Sequence, residues 1–171
     1  MYSEKDLVRI AKRENNNKRK YLVVNRLQGK HMPVKPGECL EMFDALAGIA
    51  AEAFGDENIL LVGFAETATA IGARLAAKMD CYYMQTTREE IEGVEYFYFT
   101  ESHSHAAQQK LVKTDLDKVM DKVSRVVFVE DEVTTGNTIL GIAALIRKAY
   151  GEGTAFAVIS ILNGMDGEAE E

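Results

Sequence analysis

The segment VVFVEDEVTTGNTI, Val126 to Ile139, decides the fold because it joins an apolar run, an acidic cluster and a Thr/Gly turn without interruption. Val126, Val127, Phe128 and Val129, bounded by Arg125 and Glu130, suit a strand buried on both faces of a parallel sheet. The acids then fall at the carboxyl end of that strand. From Thr134 to Thr138 the chain turns into an amphipathic segment carrying Ile139, Leu140, Ile142, Ala143, Leu145 and Ile146. Backbone amides and hydroxyls would collect at its N-terminus as a phosphate cradle. Adjacent carboxylates beside an anion-binding turn suit a ligand with both hydroxyls and a phosphate, such as a ribose 5-phosphate.

Other readings of the segment fit less well. The turn lacks the Gly-Lys-Ser/Thr ending of a nucleoside-triphosphate loop, whose Lys reaches the outer phosphates. A calcium loop starting at Asp131 would place Val133 where an oxygen ligand is required. The plain alternative is an acidic strand end capped by Thr and Asn chemistry.

Helices and strands alternate along the rest of the chain. Ser3, with Asp6 three positions later, predicts a first helix running to about Arg13, and Tyr21 to Asn25 reads as a strand. Pro36 and Gly37 open a longer helix ending near Gly55. Asn58 to Phe64 reads as a buried strand, Thr67 to Met79 as a helix, and Cys81 to Thr87 and Val94 to Thr100 as strands. A short helix near Asp115 to Asp121 precedes the signature strand; a helix to Tyr150 and a strand from Thr154 to Leu162 follow it. The expected fold is α/β, a mainly parallel twisted sheet flanked by helices.

With 171 residues, 47% hydrophobic and 27% charged, the chain suits one globular domain with a substantial core. A net charge of -7 argues against broad nucleic-acid binding, which wants a basic face. The basic cluster Lys12, Arg13, Lys18, Arg19 and Lys20 around Asn15, Asn16 and Asn17 reads as a solvated turn. No apolar run approaches a membrane span and MYSEKDL lacks the core of a signal peptide, so a cytoplasmic protein with no membrane partner is expected. Cys39 and Cys81 lack metal-ligand spacing and read as buried thiols.

In an open sheet of this kind ligands bind beyond the carboxyl ends of the strands. The strand ending at Phe64 empties into Ala65, Glu66, Thr67, Ala68 and Thr69, a small-residue turn with amides for a second anion or, alternatively, a turn capped by Thr67. The strand ending at Thr87 empties into Arg88, and the next into Glu101, Ser102, His103, Ser104 and His105, followed by Gln108, Gln109 and Lys110. His103 and His105 could instead form a metal pair, though no third Cys or His lies nearby, or belong to an ordinary surface loop. Asn25 to Lys35 is too polar to be core and reads equally as a solvated loop leading into the long helix.

In the signature segment the chain resembles the type I phosphoribosyltransferases, whose motif is an apolar strand, two acids, two spacers and a Thr-Gly turn. The resemblance implies that Glu130 and Asp131 hold the ribose hydroxyls of phosphoribosyl pyrophosphate and that Thr134, Thr135, Gly136, Asn137 and Thr138 bind its 5-phosphate. It makes Ala65, Glu66, Thr67 and Ala68 the pyrophosphate loop, and the stretch with His103 and His105 a mobile cover. Arg88, His103 and His105 would then stabilise charge developing on the leaving group, while the cover excludes water from the activated sugar. Gln28, Lys30 and His31 would read the acceptor from an N-terminal hood, where basic groups suit an oxo-base or orotate-like ring. Two positions depart from the motif: Glu130 stands where many members have Asp, and Asn137 where a small residue is common. Thr134 stands where the hypoxanthine-guanine group has an Asp, which weakens that substrate assignment.

The segments LQGKH, GFAETATAIG, TTRE, ESHSHA and EDEVTTGNT look more specifically like the phosphoribosyltransferases of tellurium-resistance and stress-response gene clusters. Those proteins commonly continue into a further C-terminal domain, so the chain is expected to be a single-domain relative or a fragment. The implied reaction transfers ribose 5-phosphate to a nucleobase-like small molecule and releases pyrophosphate. Magnesium (Mg2+) would be bound mainly through the substrate. The alternatives are a regulatory module that binds the same ligand without turnover, and a phosphoribosyl hydrolase. Homodimers are common in the resembled fold.

Overall fold

The computed structural model describes residues 2–14, 20–99 and 108–165. The order of elements is α1 Glu4–Leu7, β1 Val8–Lys12, β2 Tyr21–Asn25, α2 Pro36–Phe54, β3 Ile59–Gly63, α3 Thr69–Met79 and β4 Tyr82–Gln85. Then follow β5 Tyr96–Phe99, β6 Gln109–Val112, α4 Lys113–Leu116, β7 Arg125–Val133, α5 Asn137–Tyr150 and β8 Ala155–Asn163.

The core is a four-stranded sheet in the order β4-β3-β7-β8, parallel at every pairing. Its central strands are the apolar runs of the sequence. Leu60, Leu61, Val62 and Val126 to Val129 are wholly inaccessible to solvent, and each such side chain contributes about 1.5 to 3 kcal/mol by leaving water. The chain moves outward from β3 to β4 in one direction and from β7 to β8 in the other. Right-handed crossovers then put α3 and α5 on opposite faces, and the helices part above the junction of β3 and β7. A row of aromatic rings crosses beneath that junction. Phe64 meets Phe99 edge-on at 5.8 Å and Phe128 at 5.8 Å, and Phe128 stacks on Phe156 at 6.0 Å.

Four expectations change. The Ser3–Asp6 capping contact forms, with the Ser3 amide donating to Asp6 at 2.8 Å, but α1 is one turn and not a helix to Arg13. A single turn has not overcome the cost of helix nucleation, and β-branched Val8 and Ile10 pair instead with β2 in an antiparallel hairpin. The basic cluster borders this hairpin: Arg13 N–H donates to the Lys20 carbonyl at 2.8 Å, while Lys18 and Arg19 lie outside the described residues. Secondly, Gln109 and Lys110 are not loop. They belong to β6, whose four residues are all buried and which pairs antiparallel with β5. Thirdly, Glu130 and Asp131 do not terminate their strand. β7 runs on to Val133, pairing with β8 as far as Asn163, whereas its pairing with β3 ends at Val129. The predicted helix near Asp115 to Asp121 is the shorter, earlier α4. Among the described residues no helix is long and apolar enough to cross a membrane.

Candidate functional site

Because β7 outlasts β3, Asp131 projects beyond the end of its neighbour, where the chain leaves Phe64 for the Ala65–Ala68 turn. Thr67 belongs to that turn and its hydroxyl donates to Asp131 Oδ1 at 2.8 Å. The hydroxyl is thereby diverted from capping α3, whose N-cap is Ala68 with no side-chain cap. Lys30 Nζ reaches the other carboxylate oxygen at 2.7 Å, and Gln28 Nε2 donates to the Thr67 carbonyl at 3.2 Å. Four residues singled out in the sequence, Gln28, Lys30, Thr67 and Asp131, therefore meet from three separate segments.

Asp131 is 9% exposed. Burial pushes its carboxyl up, but the hydrogen bond and charge of Lys30, with hydrogen bonds from Thr67 and Gln28, outweigh this and hold it below the usual carboxylate range. The sign follows for stability. A depressed carboxyl contributes stability above its unfolded value of about 3.9, and that contribution is lost as the pH falls through the lower folded value. Lys30→Met removes the largest favourable partner. The Asp131 carboxyl is expected to titrate higher in this variant than in the unaltered protein, read from its carboxyl carbon shift by NMR. An unchanged titration would mean that Lys30 does not hold the charge.

Thr134 to Gly136 link β7 to α5, and Asn137 and Thr138 begin that helix. Gly136 is the N-cap of α5 in the left-handed region, φ 69°, and the Leu140 N–H already donates to its carbonyl. Together with Glu130, Glu132, Val133 and Ile139, Thr134 to Thr138 enclose a hollow of about 60 Å³. Asn137 is the first residue of α5. His31 and Glu132 adjoin a neighbouring hollow shared with Gln28, Lys30 and Asp131. A larger groove of about 380 Å³ lies against α2 and β8, and its lining offers no carboxylate, imidazole or cation.

The Ala65–Ala68 turn is more committed internally than its sequence suggested. The Ala65 N–H donates to Thr86 Oγ1 at 2.8 Å and the Ala68 N–H to the Phe64 carbonyl at 3.0 Å. Glu66 is exposed, and the Ala65–Glu66 peptide is cis. Arg88 lies on an exposed turn after β4; its carbonyl and that of Glu89 face the ammonium of Lys110, which also pairs with Glu90. His103 and His105 lie outside the described residues. Among the described residues no three His, Cys, Asp or Glu side chains converge as a metal group.

Asn25, Thr86, Gln109 and Lys110 were not among the expected site residues. Asn25 is buried and its Oδ1 accepts from the Leu27 N–H at 2.8 Å, turning the chain from β2 towards Gln28. An Asn ending an apolar strand was a readable signal for that turn. Gln109 gave none, because a buried amide in a strand looks like loop. The thiols Cys39 and Cys81 are half-buried, and burial raises both.

The same fold occurs in adenine phosphoribosyltransferases of known structure. That from Saccharomyces cerevisiae, solved with adenine and an imino-altritol bisphosphate, is 15% identical with a TM-score of 0.65, covering 93% of this chain and 85% of that one. The enzyme from Thermoanaerobacter pseudethanolicus is 17% identical with a TM-score of 0.63, covering 93% of this chain and 96% of its own. That from Rhodothermus marinus is 17% identical with a TM-score of 0.61, covering 93% and 95%. No curated protein sequence matches significantly. The architecture is thus that of the type I phosphoribosyltransferases. A profile of the phosphoribosyl transferase family matches residues 7–171, and the chain belongs to that family. It is a phosphoribosyltransferase enzyme.

Proposed function

We propose that the donor is phosphoribosyl pyrophosphate with Mg2+, and that the enzyme passes its ribose 5-phosphate to a nucleobase-like acceptor. The bond from the anomeric carbon to pyrophosphate breaks, a bond to an acceptor nitrogen forms, and the nitrogen's proton leaves to solvent or a nearby base. The observation that carries this reading is the meeting of Asp131, Thr67 and Lys30 between the α5 cradle and the Ala65–Ala68 turn. Asp131 and Glu130 accept from the ribose hydroxyls, and Thr134 to Thr138 hold the 5-phosphate. The amides of Glu66 and Thr67 receive the departing pyrophosphate, since those of Ala65 and Ala68 are already used. Anchoring both ends of the donor lowers the entropic barrier to attack.

Glu130 and Asp131 supply hard carboxylate oxygens that suit magnesium, which keeps several waters and takes few protein ligands. When bound with the donor it neutralises charge on the pyrophosphate. Arg88, His103 and His105 remain proposed stabilisers of the leaving group, and Gln28, Lys30 and His31 proposed acceptor contacts. Lys30 would exchange Asp131 for the ligand, because a ribose hydroxyl needs the same carboxylate oxygen. The place of this chain in the tellurium-resistance group rests on the segments LQGKH, ESHSHA and their companions.

Calorimetry with phosphoribosyl pyrophosphate and magnesium tests the reading. Saturable binding is expected, weakened in Asp131→Asn by about 1 to 3 kcal/mol through lost charge-assisted hydrogen bonds. Equal affinity in the two proteins would remove the ribose role from Asp131. Pyrophosphate release in an acceptor screen is the matching test of turnover; release with no acceptor present would mark a hydrolase.

A further inference from the structure

The turn proposed to receive pyrophosphate is held from below by a closed ring of hydrogen bonds. The Ala65 N–H donates to Thr86 Oγ1 at 2.8 Å. The Thr86 hydroxyl donates to Gln109 Oε1 at 2.7 Å, and Gln109 Nε2 donates to the Ala65 carbonyl at 2.8 Å. Each member gives one proton and accepts one, so the ring runs in a single direction and fixes which way round the Gln109 amide lies. Both side chains are 1% exposed, where an unmade hydrogen bond is costly.

The ring joins three strands. Ala65 follows β3, Gln109 opens β6, and Thr86 directly follows β4, its own N–H donating to the Gly63 carbonyl at 3.0 Å. Both backbone polar groups of Ala65 are thereby turned towards the sheet. Thr67 ties the far end of the turn to Asp131; at the near end the ring fixes Ala65, and donors that must meet an anion need fixing beforehand.

We infer that Thr86 and Gln109 are positioning residues that hold the Ala65–Ala68 turn in its pyrophosphate-receiving shape. The inference rests on the reading of the donor as phosphoribosyl pyrophosphate. Neither residue touches the ligand; each acts through Ala65. Chemistry at this ring is strict. Gln109→Glu keeps the shape but offers the Ala65 carbonyl a second acceptor in place of a donor. Thr86→Val keeps the shape but removes the hydroxyl that links both partners. Thr86→Ser retains it.

Pyrophosphate and ribose 5-phosphate separate the two halves of the site, because only the former uses the Ala65–Ala68 turn. With magnesium present, Thr86→Val and Gln109→Glu are expected to bind pyrophosphate roughly tenfold or more weakly. Ribose 5-phosphate should bind them as it binds the unaltered protein, and Thr86→Ser should restore pyrophosphate affinity. In protein with no ligand added, amide exchange at Ala65 should quicken in the first two variants and not in the third. Equal weakening of both ligands would make the ring merely structural, and unchanged pyrophosphate binding in a folded variant would overturn the inference outright. Unaltered protein that binds ribose 5-phosphate but not pyrophosphate would overturn the loop assignment and the inference with it, and leave the 5-phosphate cradle standing. Unaltered protein that binds neither would overturn the donor reading and the inference with it.

Discussion

Phe128→Ala is expected to lower the free energy of unfolding by about 3 to 5 kcal/mol, the range for deleting a fully buried aromatic side chain. Phe128 is wholly buried and lies between Phe64 at 5.8 Å and Phe156 at 6.0 Å, so its loss opens a cavity in the middle of the aromatic row. The cost falls on the site as well as on the core. Phe64 directly precedes the Ala65–Ala68 turn, and Phe128 lies three residues before Asp131, so both loops stand on these rings. Urea denaturation measures the loss. A value below about 1 kcal/mol would mean that the surrounding side chains collapse into the space, which a tightly interlocked core resists.

Gly136→Val should leave most of that stability intact and weaken ribose 5-phosphate binding instead. The residue holds φ at 69°, where a β-branched side chain is a genuine outlier, and such strain costs of order 1 to 3 kcal/mol. An added Cβ would also come within 3.2 Å of Met165 Sδ. The turn is expected to rearrange, displacing the amides ahead of α5 and weakening ribose 5-phosphate by roughly ten- to hundredfold at 1.4 kcal/mol per decade. Gly136→Asn is the companion variant, since Asn tolerates left-handed geometry better than most residues. Calorimetry on both separates the causes: full affinity in the Val variant would mean that the cradle does not anchor the 5-phosphate.

The parts of the fold that could be read in advance are those where one physical preference dominates. Ile59 to Gly63 and Val126 to Val129 are apolar without alternation because both of their faces are covered, and α2 begins at Pro36, whose missing N–H costs nothing in a first turn. The hairpin β1–β2 could not be read, because the capping contact at Ser3 and Asp6 is real and only pairing with a strand beginning at Tyr21 shortens the helix. The strand β6 was hidden for the opposite reason. Gln109 and Lys110 are polar yet buried, and each is retained by specific partners: Thr86 and Ala65 for the amide, Glu90 and the Tyr96 ring face for the ammonium. At the site, the segment at 130–138 could be read because its residues are contiguous. The approach of Lys30 to Asp131 depends on β7 outlasting β3, a register that no local pattern encodes.

The hairpin carries one more consequence. Two-stranded hairpins are marginal on their own, and this one exposes Ile10, Tyr21 and Val23. From it hangs the segment with Gln28 and Lys30, stapled to the sheet by the contacts to Thr67 and Asp131 and joined to α1 by the Arg26 N–H on the Leu7 carbonyl. Such a unit opens at a lower free energy than the buried strands it leans on. A ligand that needs both the sheet and this segment therefore meets an apparent affinity scaled by the fraction of molecules in which the segment is docked. A ligand that needs only the sheet does not. On the proposed acceptor role of Gln28 and Lys30, selection among acceptors is a population quantity, set partly by how firmly a small hairpin is held down and not by contacts to the acceptor alone.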